Sequence, residues 1–243
     1  MSLRVAAVGD LHVGRDSEGV YGPVLARASE EADVVLLAGD LTGVGTAEEA
    51  EVVARELAGI DIPLVGVLGN HDFESDQADR VAAAMAGAGV TMLEGEACVL
   101  DCGGRRLGIA GAKGFGGGFL GASGSDFGEP EMKAFIGHTK AVAGRLARAL
   151  ESLVGACEAT VCLLHYSPVP DTLEGEPREI YPFLGSYLLA EAVDSVGADL
   201  VVHGHAHHGS EVGTTPRGIP VRNVALPLIK DPYRVSVVGG GAQ

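Results

Sequence analysis

Five short apolar runs in this 243-residue chain each end on residues able to bind a metal or move a proton. The first, 3–8 (Leu-Arg-Val-Ala-Ala-Val), leads into Gly9-Asp10-Leu11-His12. A carboxylate and an imidazole two residues apart point to the same side of extended backbone. Such a pair is common and means little alone, but the event recurs. Residues 34–38 run into Gly39-Asp40, and 64–68 into Gly69-Asn70-His71-Asp72. Residues 161–164 run into His165, and 200–202 into His203-Gly204-His205-Ala206-His207. Asp10, His12, Asp40, Asn70, His165, His205 and His207 make a donor set of oxygen and imidazole nitrogen without thiolate. That set suits two divalent metal ions drawn from Mn, Fe, Zn and Co, with Mn and Fe favoured. Seven ligands are too many for one ion. Shared through a bridging carboxylate, they suit a pair about 3.5–4 Å apart, the spacing that clamps an in-line phosphoryl displacement. A hydroxide between the two ions would be the nucleophile.

These residues need strands to carry them to one place. The first half alternates strand and helix three times, the pattern of right-handed βαβ units and a parallel sheet. Helices are expected over 23–32, over about 47–59 behind a Thr46 N-cap, and over 76–86. In open α/β sheets, ligands bind outside the carboxyl ends of the strands, and all the candidate residues lie there. Residues 90–93, 97–100 and 105–110 read as edge strands containing a hairpin. A glycine-rich loop, 111–128, follows, with Lys113, Phe115 and Phe119 as candidate substrate contacts. A long helix over 131–154 carries Met132, Phe135, Ile136, Thr139, Val142, Leu146, Leu150 and Leu153 at helical spacing, a core stripe. A proline-rich loop, 166–182, a helix over 185–196 and short strands at 209–213, 220–224 and 235–238 complete the reading. No linker or duplication interrupts the chain, so one domain over 1–243 is expected.

The formal charge is −16, with 33 acidic residues against 17 Lys and Arg. A surface of that sign repels nucleic-acid polymers and anionic membranes, because polyanion binding rests on Lys and Arg. A small anion remains admissible where bound cations reverse the local potential. No apolar run reaches the length of a membrane-spanning helix. No leader is visible ahead of the first strand, and Cys98, Cys102, Cys157 and Cys162 sit in apolar contexts without zinc-knuckle spacing. Free, buried thiols fit a reducing, cytoplasmic setting. His203, His208 and His138 read as supporting or surface residues. The charge and the loops leave oligomeric state open.

In order, spacing and position at strand ends, Gly9-Asp10-Leu11-His12, Gly39-Asp40, Gly69-Asn70-His71-Asp72, His165 and Gly204-His205-Ala206-His207 resemble the calcineurin-like metallophosphoesterases. The resemblance runs from 9 to 207. It implies a four-layer α/β/β/α sandwich. It further implies that Asp10, His12 and His207 hold one metal, that Asp40 bridges, and that Asn70, His165 and His205 complete the second. His71 matches the residue that contacts the substrate phosphate and protonates the leaving oxygen. Independently, an alkoxide leaving group benefits from a general acid, and His is the side chain best matched to neutral pH. Asp72 is a candidate to orient His71.

The block Leu41-Thr42-Gly43 after Asp40 lacks the Asp-Arg-Gly continuation of protein serine/threonine phosphatases. The acidic surface and the lack of an accessory domain disfavour a DNA-repair nuclease. The expected activity is hydrolysis of a small-molecule or nucleotide phosphodiester, as in the bacterial branch related to cyclic-nucleotide phosphodiesterases. A phosphomonoesterase acting on a small metabolite is the alternative. A metal-binding scaffold without hydrolase activity is the alternative of another class. Substrate selection is expected from 111–128 and from 166–182, where Glu174, Glu176, Arg178 and Tyr181 lie.

Overall fold

Alternation along the apolar strands decides the layering. The computed structural model describes residues 2–239. β1 (Leu3–Val8) is followed by two helical turns, α1 (Gly22–Leu25) and α2 (Ala28–Glu31), and by β2 (Val34–Ala38). Next come α3 (Ala47–Leu57), β3 (Leu64–Val67), α4 (Ala78–Gly87) and β4 (Val90–Met92). β5 (Glu96–Asp101) and β6 (Arg106–Ala112) form a hairpin, and β7 (Gly118–Phe119) and β8 (Ala122–Ser123) a small ribbon. The long α5 (Pro130–Glu151) leads to β9 (Ala159–Leu164), α6 (Tyr181–Leu184), α7 (Tyr187–Val196) and β10 (Leu200–His203). β11 (Val212–Thr214), β12 (Pro220–Asn223), α8 (Leu226–Ile229) and β13 (Arg234–Val238) follow.

One sheet has the order β13-β1-β2-β3-β4, the other β11-β12-β10-β9-β6-β5. β1 to β4 are parallel with β13 antiparallel at one edge. β12, β10, β9 and β6 are parallel, with β11 and β5 antiparallel at the edges. Successive side chains on a strand face opposite ways. Ala6, Val8, Val35 and Leu37 therefore pack outward against Leu25, Ala50, Val53, Val81 and Met85 of the helices. Val5, Ala7, Val34 and Leu36 pack inward against Leu107, Ile109, Val161, Leu163 and Val202 of the second sheet. Cys162, Leu164 and Val201 face away again, onto Val142, Leu146, Leu150, Leu189 and Val193 of α5 and α7. Three buried interfaces separate four layers, helix, sheet, sheet and helix. Strands buried on both faces read as unbroken apolar runs, which is how they stood out in the sequence.

Several expectations are refined. The expected helix 23–32 is two four-residue turns, because the bonds between them tighten to Ser29 N–Ala26 O and Glu30 N–Arg27 O. The tightening keeps Leu25, Ala28 and Ala32 all against the sheet. The Thr46 cap forms a capping box: Glu49 N donates to Thr46 Oγ1, and Thr46 N to the Glu49 carboxylate. Strand 90–93 joins the first sheet as β4, while the hairpin 96–112 belongs to the second. All four cysteines are free thiols; Cys162 is buried and the others are half-buried. Among the described residues, no helix is long and apolar enough to cross a membrane.

Candidate metal centre

The loops that leave β1 and β2 remain zipped together beyond the strands. Asp10 N donates to Gly39 O, His12 N to Asp40 O and Val13 N to Leu41 O. To do this while turning their side chains into one cleft, Asp10 (φ 58°), His12 (φ 44°), Asp40 (φ 49°) and His205 (φ 71°) adopt left-handed backbone. Only Asp76 and Lys230 do so among the other described non-glycine residues. Such conformations cost free energy and persist where the surroundings over-determine them, commonly at functional sites.

Two glycines make room for the carboxylates. A Cβ on Gly69 would lie 2.0 Å from Asp40 Oδ1 and 2.2 Å from its backbone N; one on Gly204 would lie 2.3 Å from Asp10 Oδ2. The Gly-Asn and Gly-His steps are thus steric requirements of the neighbouring carboxylates.

The seven candidate ligands meet at the carboxyl ends of the two sheets. Three groups have ligand atoms within 4.8 Å of one another: Asp10, His12 and His207; His12, Asp40 and His71; Asp40, His165 and His205. His12 Nε2 and His207 Nε2 face each other at 3.4 Å, and Asp10 Oδ1 lies 3.0 Å from His207 Nε2. Asp40 presents its two oxygens to different partners. Oδ2 is 3.9 Å from His12 Nε2, and Oδ1 is 3.4 Å from His165 Nε2. Asn70 Oδ1 is 3.0 Å from the same His165 nitrogen.

Outer contacts orient two of the imidazoles. His165 Nδ1–H donates to Ala38 O at 2.9 Å, which turns Nε2 toward Asp40 and Asn70. His205 Nε2 lies 3.2 Å from Phe183 O, which leaves Nδ1 as its free donor atom. A carbonyl partner on the far ring nitrogen is the usual support of a metal-ligating histidine. Burial also keeps imidazoles neutral: it pushes His12 down to about 4 and His205 to about 3. Burial raises Asp40. Burial alone would raise Asp10 as well, but the hydrogen bond and charge of His207 hold it below the usual carboxylate range. The same hydrogen bond raises His207. Buried carboxylates and imidazole nitrogens converging on one cleft are a donor set that divalent cations would complete, so the residues fit a metal pair.

His71 stands at the edge of this cluster. Its amide donates to Asp40 Oδ1 at 2.8 Å, and its ring meets His12 edge-on at 4.5 Å between centroids. Its Nδ1 is 2.8 Å from Gly43 O, an acceptor only, so Nδ1 donates there and Nε2 is the ring nitrogen left without that contact. Asp72 does not orient His71, contrary to the sequence-based expectation. Its buried carboxylate accepts from Thr42 N, Thr42 Oγ1, Leu41 N and Gly69 N, pinning the loop after β2 to the loop after β3. The carbonyls of Ala38, Gly43 and Phe183 were invisible to reasoning from side-chain types, because any residue could supply them.

His203 is fully buried between Thr172 Oγ1 (2.8 Å) and Gly204 O (2.7 Å), supporting the loop that carries His205 and His207. His208 and His138 are exposed. Lys113 and Phe115 flank the cleft beside Tyr166. Phe119 does not: it packs on Leu173, Leu184 and Ala206 and lines a separate cavity of about 790 Å³ with Pro168, Tyr187 and Arg217. In the second loop, Tyr181 Oη donates to Leu173 O and Glu176 accepts from His208 N, so both hold the backbone.

A family model for the calcineurin-like phosphoesterases matches residues 3–209. The chain belongs to that family. It is a metal-dependent hydrolase of phosphoesters, and the four-layer architecture is the family's fold. Among solved structures, the phosphopantetheinyl hydrolase PptH of Mycobacterium tuberculosis is similar, with TM-score 0.66 and 16% identity, over 96% of this chain and 95% of that one. The protein TT1561 of Thermus thermophilus is similar at TM-score 0.58 and 14% identity, over 98% of both chains. GAP50, the anchor in the inner membrane complex of Plasmodium, is similar at TM-score 0.57 and 10% identity, over 93% of this chain and 72% of that one. At these identities the likeness is one of fold. No curated protein matches the chain.

Proposed function

We propose that this phosphoesterase is a dinuclear phosphodiesterase acting on a small-molecule or nucleotide diester. Asp10, His12 and His207 would hold one ion, Asn70, His165 and His205 the second, and Asp40 would be shared between them. The observation that carries the reading is the split of Asp40, with one oxygen toward His12 and the other toward His165. When bound, the ions supply a water activated at neutral pH and positive charge for the phosphoryl oxygens. As the imidazolium, with Nδ1–H committed to Gly43 O, His71 would give its Nε2 proton to the departing alkoxide and return to the neutral ring.

The test uses metal-stripped protein refilled with Mn, assayed on bis-p-nitrophenyl phosphate and p-nitrophenyl phosphate, with metal counted per chain. Two ions and preferential diester turnover are expected. Preference for the monoester would make the protein a phosphatase. Two bound ions without turnover of either would favour a metal-binding scaffold.

A further inference from the structure

Lys113 is the first residue beyond β6, and its backbone is built into the candidate metal centre. β6 and β9 are parallel with Ala112 beside Leu164, which sets Lys113 level with His165. Lys113 O accepts from both His165 N and Tyr166 N at 3.0 Å. The ammonium is framed by three rings: Nζ lies 4.7 Å from the centroid of Phe73, 5.3 Å from Phe115 and 5.5 Å from Tyr166. Each ring is itself fixed or tied to the site. Tyr166 packs against His205 at 4.4 Å between centroids, Phe115 packs on Phe135 and His138, and Phe73 is two residues beyond His71.

What the ammonium lacks is an anion. Among the described residues, Lys113 Nζ has no carboxylate within ion-pair distance and no hydrogen-bond acceptor. The adjacent Glu94 is already engaged, by Arg145 at 3.3 Å and by the Lys113 amide at 3.0 Å. Burial lowers the Lys113 pKa, against the charges of Glu94 and Asp40, so the side chain lies within the field of the metal-site carboxylate. A cation held by ring faces, with its donors free, is preorganised for an oxyanion arriving from the cleft.

We propose that Lys113 is a specificity-determining residue that binds a second acidic group, a carboxylate or phosphate, on one arm of the phosphodiester substrate. The Phe73 and Phe115 faces pack the aliphatic or aromatic part of that arm. This rests on the reading of the site as a phosphodiesterase.

The test compares two p-nitrophenyl phosphodiesters whose other arm ends in a carboxylate or in the isosteric carboxamide, with wild type, Lys113→Met and Lys113→Arg, all loaded with Mn. Lys113→Met keeps the stem against the rings and removes the charge. Binding of the matching phosphonates, in which a methylene replaces the scissile oxygen, is measured by calorimetry. Wild type is expected to prefer the carboxylate about tenfold or more in kcat/KM and in binding, in line with one charge-assisted contact. Lys113→Met is expected to erase that preference, and Lys113→Arg to retain it. A phosphate-ended arm preferred over the carboxylate would identify the acid as a phosphate and support the proposal. A carboxylate-to-carboxamide ratio that stays within threefold between wild type and Lys113→Met, including equal loss on both arms, overturns it. Because the phosphonates report binding without turnover, a wild type that hydrolyses neither diester counts against the phosphodiesterase reading, while the binding ratio still decides Lys113.

Discussion

Gly69→Ala separates the geometry of the candidate metal centre from the stability of the fold. The added Cβ would sit 2.0 Å from Asp40 Oδ1, 2.2 Å from Asp40 N and 2.7 Å from Asp40 Cγ. Ordinary contact begins at 3.4 Å, so the two groups must part by 3.4 − 2.0 = 1.4 Å. Neither side can yield freely. Gly69 N is held by Asp72, and Asp40 is tied through its carbonyl to His12 N and through Oδ1 to His71 N. Overpacking of this kind costs about 1–3 kcal/mol, and Tm falls by about 2–4 °C per kcal/mol at this size. Catalysis should suffer more, since a displacement of about 1 Å in a reacting constellation can cost about 100-fold. Gly87, with nothing within 4 Å of its notional Cβ, supplies the matched control. The measurements are Tm of the metal-free protein, Mn binding by calorimetry, and kcat/KM on bis-p-nitrophenyl phosphate. Gly69→Ala should retain a cooperative transition, bind Mn weakly and lose at least about 100-fold in kcat/KM, while Gly87→Ala behaves as wild type. Turnover by Gly69→Ala within threefold of wild type would refute the claim that Asp40 is positioned by this contact.

Three further variants test the same geometry. Burial raises Asp40 in the metal-free protein, so its charge opposes folding there; Asp40→Asn should match or exceed the wild-type apo Tm. The same variant should lose the roughly 2.7 kcal/mol that Mn at 100 times its Kd gives wild type, read as Tm against Mn concentration. His71→Ala should keep both ions but lose roughly 10²–10⁴ in rate on alkyl diesters and far less on p-nitrophenyl diesters, whose leaving group needs no acid; loss of metal would make His71 a ligand. Burial depresses His203 from 6.5 to about 4. A depressed histidine binds its proton first in the unfolded chain, so its contribution is complete above pH 6.5 and is lost as pH falls toward 4, about 3 kcal/mol in all. His203→Gln should shrink the acid-induced drop in apo stability by about that amount, and an unchanged pH profile would contradict the neutral buried imidazole.

The gathering of the candidate ligands at the strand ends was legible because strand burial and strand ending are written in residue type. Runs such as Val-Val-Leu-Leu-Ala are apolar on both faces, since one face meets helices and the other the second sheet, and a polar residue directly after Gly marks the exit to the cleft. The partition of β4 and the hairpin between two sheets was not legible, because an edge strand carries the same short apolar run whichever sheet it joins. Asp72 was misread for a related reason. Its neighbour in sequence is His71, but the three-residue 3₁₀ turn at His71–Phe73 points its carboxylate back at Thr42 and Gly69 instead. That difference bears on how the site holds its shape. Asp10, His12, Asp40 and His205 all sit in left-handed backbone, a conformation L-residues disfavour and that no side-chain pattern announces. The opposing force is in contacts that are equally silent in sequence: the continued zipper between the β1 and β2 loops, the four hydrogen bonds into Asp72, and the Asp10 carboxylate accepting from His205 N. Four strained residues are therefore braced by the backbone of the neighbouring loops and by the carboxylates themselves. Neutralising Asp72 should thus loosen the loops that carry Asp40 and Asn70, and Mn affinity in Asp72→Asn, read by calorimetry, should fall although Asp72 contributes no ligand atom.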